Sequence, residues 1–171
     1  MLDQSKHERC IYLSNSKCMG SLAKQKRLYP FSLNPDRLKT KIFVNLPVKE
    51  LNRSVAFFTK LGFTFNPQFT DENATCMIVG EDIFVMLLVE KFFKSFTRKE
   101  ICDTSRSTEA ILALSVESRE QVDQMINKAI EAGGSEPREK QDHGWMYGRS
   151  FEDVDGHLWE VFFMDESAIK K

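Results

Sequence analysis

Hydrophobic residues in the first half of this chain follow first the period of a strand and then that of a helix. The alternation over residues 41–48 predicts a β-strand with both faces largely buried. Apolar residues recur at spacings of four and three over residues 50–61 and predict a helix, which Gly62 would end. A short strand pattern follows. Two further apolar runs, 74–79 and 83–89, flank a short turn and predict a β-hairpin.

The second half of the chain repeats this order. Residues 110–116 predict a strand, and residues 118–132 predict a helix with a serine N-cap and a glycine stop. A turn at 153–156 joins two final strand patterns, 145–151 and 157–164. A repeated unit that cannot bury its own face must pack against its copy. The pattern therefore predicts an α+β fold of two βαβββ modules, whose curved mixed sheets enclose a cleft.

These patterns divide the chain into a basic irregular extension, a first module, a linker, a second module and a short tail. The ranges are 1–39, 40–97, 98–108, 109–166 and 167–171. The first forty residues carry eight Lys and Arg against three Asp and Glu, and they show no apolar periodicity. They also lack the hydrophobic stretch of a secretory signal. We expect the extension to lie outside the functional unit.

Composition narrows the class of protein. A chain of 171 residues with a mean hydropathy of −0.37 is long enough for a real core and polar enough for solution. The net charge of −1 gives no reason to expect a nucleic acid or an anionic membrane as a partner. No apolar run reaches the roughly 18 residues that span a bilayer. Four cysteines without CxxC spacing predict free thiols in the reducing cytoplasm.

The end of the second module carries the most specific motif. It runs from Phe151 to Glu160 as F-E-D-V-D-G-H-L-W-E. Together with the double module, this ending resembles the glyoxalase / bleomycin-resistance / extradiol-dioxygenase superfamily (vicinal oxygen chelate fold). The family pattern is D-P-D-G-x-x-x-E, and Val154 stands here where proline is usual. The resemblance covers residues 41–165 and implies the fold more strongly than an activity.

The resemblance also allows a test for metal ligands. Metal enzymes of the family hold a divalent ion with His, Gln or Glu side chains, and Glu160 matches the final ligand position. The other positions fall at Phe43, at Ile111 and within residues 84–87, none of which offers a ligand for zinc or iron. We therefore expect no cofactor. A displaced divalent metal on Glu160 and His143 is the alternative.

The family geometry implies that Glu160 points into the cleft, with Phe43, Met86 and Ile111 as apolar neighbours. Burial there would raise the pKa of its carboxyl group unless a cation or a donor meets it. Asn45 shares the face of Phe43 and is expected to hydrogen-bond a ligand or water.

Three residues near the last hairpin are candidate partners of Glu160, namely His143, Tyr147 and Arg149. With His143, Glu160 would act as a general acid or base, or it would anchor a ligand. Alternatively, an ion pair to Arg149 across the hairpin would give Glu160 a purely structural role. His157 is expected on the surface.

The interpretation we favour is a metal-independent binder of a small apolar or aromatic molecule in the inter-module cleft. One alternative is a metalloenzyme with a non-standard metal site, either a lyase or isomerase of the lactoylglutathione-lyase (glyoxalase I) type or a dioxygenase-like enzyme. Another is a structural or interaction protein. The resemblance further implies a homodimer, since family members commonly form one.

Overall fold

Two modules with the same order of elements build the molecule, as the repeat predicts. The computed structural model describes residues 40–168. The predicted basic extension, 1–39, and the last three residues of the predicted tail lie outside the described residues. The first module contains β1 (Ile42–Val48), α1 (Leu51–Leu61), β2 (Thr64–Asn66), β3 (Ala74–Gly80), β4 (Ile83–Val89) and α2 (Glu90–Phe93). The second contains β5 (Ile111–Ser115), α3 (Arg119–Ala132), β6 (Gln141–Asp142), β7 (Met146–Glu152) and β8 (Leu158–Met164).

Each module forms its own four-stranded mixed sheet, and the two sheets have equivalent strand orders. The orders are β1-β4-β3-β2 and β5-β8-β7-β6. The first strand of each module runs parallel to the last, whereas the other neighbours are antiparallel. The sheets stay open, and the predicted α+β fold of two βαβββ modules is confirmed.

Local sequence signals set the ends of the two long helices. Ser118 is the N-cap of α3, and its hydroxyl accepts a hydrogen bond from the Gln121 amide at 3.3 Å. Gly62 and Gly133 end α1 and α3 with φ of 104° and 108°, a left-handed conformation that glycine adopts without steric cost.

One core lies between the helices and both sheets. Phe58 of α1 packs edge-to-face on Trp159 of β8, with ring centroids 5.3 Å apart. The ring centroid of Phe57 lies 6.1 Å from that of Phe151 in β7. The helix of the first module therefore packs on the sheet of the second. All four aromatic side chains are at most 2% exposed. The two modules therefore share one core and depend on each other for burial.

The opposite face of each sheet is not covered by a helix. Phe43 on β1 is 48% exposed and Ile111 on β5 is 53% exposed. The prediction that both faces of the first strand are buried is therefore wrong. Both helices pack on the face that carries Leu46 and Val48, and an edge strand has few neighbours to cover its other side. No helix within residues 40–168 is long and apolar enough to cross a membrane.

Candidate functional site

Glu160 lies in the middle of β8, on the sheet face that the helices leave open. The register places it beside Ala113 of β5 and Ser150 of β7. Its Oε1 forms an ion pair with Nη2 of Arg138, and Nε of Arg138 donates a hydrogen bond to Ser150 Oγ at 3.2 Å. The Glu160 side chain is 31% exposed and that of Arg138 is 42% exposed. Solutes can therefore reach this pair.

A small apolar cavity of about 180 Å³ adjoins the ion pair. Its floor comes from β7 and β8, and the loop before β6 supplies Arg138. The residues that line the cavity are Arg138, Gln141, Met146, Gly148, Arg149, Glu160, Val161, Phe162 and Met164. One polar pair set among methionine and phenylalanine side chains is a common layout for small-molecule sites.

Arg149 and Tyr147 do not meet Glu160. The register sets Arg149 opposite Val161 and Tyr147 opposite Phe163, so both point to the helix side of the sheet. The predicted alternative in which Arg149 holds Glu160 is wrong, because Arg138 from the preceding loop forms that ion pair. Sequence reasoning missed Arg138, because no periodicity orients a side chain in an irregular loop.

Arg149 instead belongs to a network under α3. It donates to Glu136 at 2.9 and 2.7 Å and to Asp123 at 2.9 Å. Tyr147 also donates to Asp123, at 2.8 Å. The hydrogen bonds from Arg149 lower the pKa of Glu136. Burial acts to raise the pKa of Asp123, but the bonds from Tyr147 and Arg149 outweigh it, and the pKa falls. These contacts tie helix to sheet, which is a structural role.

His143 lies in the exposed turn before β7, away from Glu160. Its amide donates to the Met146 carbonyl, and Met146 is four residues along β7 from Ser150, which lies opposite Glu160. At roughly 3.3 Å per residue, Met146 and Ser150 are about 13 Å apart along the strand. The predicted pairing of Glu160 with His143 is therefore not formed within the chain.

The remaining predicted residues divide between the two sheets. Phe43 stacks on Phe84 with ring centroids 4.8 Å apart, and the register pairs Asn45 with Met86. All four belong to the open face of the first sheet, while Ile111 lies on the second sheet. Phe43 and Ile111 are each about half exposed, so neither sheet face is sealed into a closed cleft.

The side chains at the family's metal positions do not fit a divalent ion. Phe43 and Ile111 have no donor atom, and Glu160 is already paired with Arg138. Residues 40–168 contain no group of three or more His, Cys, Asp and Glu side chains placed to hold a metal.

The acidic turn before β8 forms contacts between the modules that the sequence analysis did not predict. Asp155 accepts hydrogen bonds from the Lys49 amide at 3.1 Å, from Arg53 at 2.8 Å and from the Ser54 hydroxyl at 2.5 Å. All three donors belong to the first module, where Lys49 precedes α1 and the other two lie in its first turn. Asp153 accepts from Trp159 Nε1 at 3.0 Å, inside the turn's own module. We call residues 153–157 the interlock, because they join the two modules.

His157 completes the interlock, and the prediction of a surface histidine is wrong. It is 2% exposed; its Nε2 lies 2.8 Å from the Pro47 carbonyl of β1, and its Nδ1 pairs with Glu109. Both neighbours accept hydrogen bonds, which favours a doubly protonated ring. Burial opposes that charge, but Asp153 and the bonds to Glu109 and Pro47 outweigh it, and the pKa of His157 is raised.

Two larger hollows are also present, and one of them shares Arg138 and Arg149 with the cavity at Glu160. One, of about 550 Å³, adjoins the interlock, and its wall includes the Lys94–Glu100 ion pair. The other, of about 950 Å³, lies over the Arg149 network. Many charged side chains line both hollows, whereas the cavity at Glu160 combines an apolar wall with one accessible ion pair. We therefore regard the smaller cavity as the candidate site.

Two βαβββ modules with this strand order define a vicinal oxygen chelate fold. A family model described as "Bleomycin resistance protein-like N-terminal" matches residues 40–80. The structure of hypothetical protein SA1046 from S. aureus is 31% identical, with 72% of this chain and 92% of that chain covered and a TM-score of 0.63. The chain belongs to the glyoxalase / bleomycin-resistance / dioxygenase superfamily.

More distant structures share the fold. A glyoxalase-related enzyme from Fulvimarina pelagi is 20% identical over 74% of this chain and 88% of its own, with a TM-score of 0.62. A glyoxalase/bleomycin resistance protein/dioxygenase family enzyme from Burkholderia phytofirmans PsJN is 14% identical, with 71% of this chain and 96% of that chain covered and a TM-score of 0.60. A search of curated proteins found no match.

Proposed function

We propose that this protein binds a small apolar or aromatic molecule without a metal, at the open sheet face of the second module. The observation that carries the proposal is the cavity of about 180 Å³ that has the solvent-accessible Glu160–Arg138 ion pair in its wall. An apolar wall supplies burial energy, and a single polar pair fixes orientation. Glu160 is the anchor in this proposal, and Arg138 is its partner.

The proposal places the site in one module and not in a cleft between two. Met146, Phe162 and Met164 form its apolar wall. Phe43, Asn45 and Met86 lie on the other sheet and would reach a ligand only if another chain brought that face near. Metal independence is supported by the donor set, since Glu160 already has a cationic partner.

The experiment is a screen of small aromatic molecules against the wild type and Glu160→Ala, with affinity measured by calorimetry. We expect hits to lose about 10-fold or more on substitution, since hydrogen bonds to a charged group contribute about 1.5–3 kcal/mol. Glu166→Ala, a change at an exposed residue in the last turn, is the matched control. Equal affinity of Glu160→Ala for every hit would remove Glu160 from the site.

A metal titration separates this proposal from a metalloenzyme of the glyoxalase type. Purified protein is analysed for bound metal, and its melting temperature is followed with zinc, nickel, manganese and iron. About one ion per chain with clear stabilisation would contradict metal independence. No bound ion and no shift would support it.

We also propose that the protein is a homodimer in the cytoplasm. Phe43 and Ile111 are large apolar side chains on edge strands, and both are about half exposed. Unpaired edge strands with apolar side chains are surfaces that a second copy can cover. Cys76 and Cys102 are free thiols, which agrees with a reducing compartment.

A further inference from the structure

The polar end of the candidate site carries two opposite charges side by side. Arg138 is held by two contacts, one through Nη2 to Glu160 and one through Nε to Ser150, which is fully buried. Within residues 40–168, its Nη1 group and the Glu160 Oε2 have no hydrogen-bond partner. The pair therefore offers a ligand one free donor group beside one free acceptor, with a net charge of zero.

This arrangement disfavours charged ligands. A carboxylate that approached Arg138 would be repelled by Glu160, and a cation at Glu160 would be repelled by Arg138. Either ion would have to break the pair and leave one charge unpaired beside Phe162 and Met146, which is costly in apolar surroundings. A neutral group that accepts from Arg138 and donates to Glu160 keeps the pair intact and satisfies both free atoms.

The apolar end limits the size of the ligand. Phe162 is two residues beyond Glu160 on β8, about 7 Å at roughly 3.3 Å per residue. A dry cavity of about 150 Å³ can hold benzene, and this one has about 180 Å³. The space next to the ion pair therefore suits one ring with a small planar head group.

Gly148 leaves this space open. A Cβ built on it would lie 3.6 Å from Phe162 Cβ and 3.7 Å from the Val161 carbonyl, which are ordinary contacts. A larger side chain at position 148 would fit the backbone and project into the cavity, because Gly148 lies opposite Phe162 on the same face.

We propose that the site selects neutral planar molecules in which a carboxamide-type edge, one acceptor beside one N–H donor, is attached to a single aromatic or apolar ring. The inference rests on the proposed function, since it names the ligand class of the same site. It extends that proposal by assigning Arg138 as a specificity-determining residue and by excluding simple carboxylates and amidinium ions.

The test uses three probes of nearly equal shape: neutral benzamide, anionic benzoate and cationic benzamidine. Dissociation constants are measured by NMR titration of the full chain. We expect benzamide to bind at least 10-fold more tightly than either ion. Glu160→Gln leaves a net positive head and should shift the preference to benzoate. Arg138→Gln leaves a net negative head and should shift it to benzamidine.

Gly148→Val is the control that locates binding, and it should weaken all three probes without changing the melting temperature by more than a few degrees. Equal affinity of the wild type for the three probes, or an order that neither charge variant changes, would overturn the inference. If larger aromatic ligands still bind and Gly148→Val abolishes their binding, the proposed function stands and only this ligand class is wrong. If no aromatic molecule binds at all, both fail.

Discussion

Individual side chains of the acidic ending hold the modules together instead of facing the candidate site. Asp155 is 6% exposed and accepts from three donors of the first module, and His157 is 2% exposed between Pro47 and Glu109. Of the motif residues, Glu160 alone is at the cavity. Most side chains of the motif therefore serve the fold, and the activity of relatives does not follow from the motif.

Removing the Asp155 carboxylate should destabilise the protein more than removing a surface carboxylate. Asp155→Ala removes the acceptor of the Lys49 amide and the ion-pair partner of Arg53, and we expect a loss of about 3 kcal/mol in the free energy of unfolding. Urea denaturation gives the value. Asp142→Ala, which breaks an exposed pair with Arg119, is the control and should cost much less. Equal losses from the two substitutions would contradict the role of Asp155 in joining the modules.

His157 should make stability fall as the pH rises. Its folded pKa is raised, so the stabilisation is complete below the unfolded value of about 6.5 and is lost as the pH passes the folded pKa. Melting temperatures from pH 5.5 to 9 should decline for the wild type. His157→Gln should reduce this decline, and the part that remains comes from Asp153, whose pKa is also raised by burial. A wild-type curve parallel to that of the variant would contradict the charged histidine.

At the scale of elements, tight turns depend on how closely other segments approach. Gly144 and Gly156 both have positive φ, of 79° and 86°. A Cβ on Gly144 would meet nothing within 4 Å, whereas one on Gly156 would lie 2.7 Å from Thr104 Oγ1. Thr104 also donates to the Asp155 carbonyl at 2.7 Å. The linker therefore packs directly on the interlock turn.

The two glycines give a matched pair of variants. Gly144→Ala should cost about 1–2 kcal/mol in unfolding free energy, the usual cost of a left-handed L-residue. Gly156→Ala has the same backbone strain and must also displace Thr104, so its loss should be clearly larger. Chemical denaturation of both variants tests this difference. Equal losses would mean that Thr104 can be displaced without a cost in unfolding free energy.

At the scale of the whole molecule, one shared core leaves two sheet faces open. The helices cover one face of each sheet, while Phe43 and Ile111 remain about half exposed on the other. A chain with a single core between two modules gains burial on the open faces only from outside contacts.

Self-association should depend on these faces. Phe43→Asp combined with Ile111→Asp should shift the proposed dimer to a monomer in sedimentation velocity, because charges on the interface would lose their water. Phe69→Asp is the control, since Phe69 is 57% exposed and follows β2, which lies at the opposite edge of the first sheet from β1. A monomeric wild type, or a double variant that stays dimeric, would contradict the proposal.

Local sequence patterns predicted the long elements of this protein, although they did not predict the two-residue strand β6. The predicted run 83–89 is the observed strand β4, and the predicted cap Ser118 caps α3. Such features depend on neighbours along the chain, because strand alternation, helical spacing and capping are local properties. For Glu160, alternation had to be combined with the family geometry to predict which face of β8 it occupies, and the register places it on the open face.

Partners across space were decided only by the tertiary structure. The last hairpin suggested that Arg149 lies near Glu160, yet the two lie on opposite faces of neighbouring strands, and an irregular loop supplies Arg138 instead. His157 reads as a turn residue, but packing of the first module buries it. Long-range contacts depend on how two modules dock, and docking is set by the summed burial of many side chains, which no short stretch of sequence specifies.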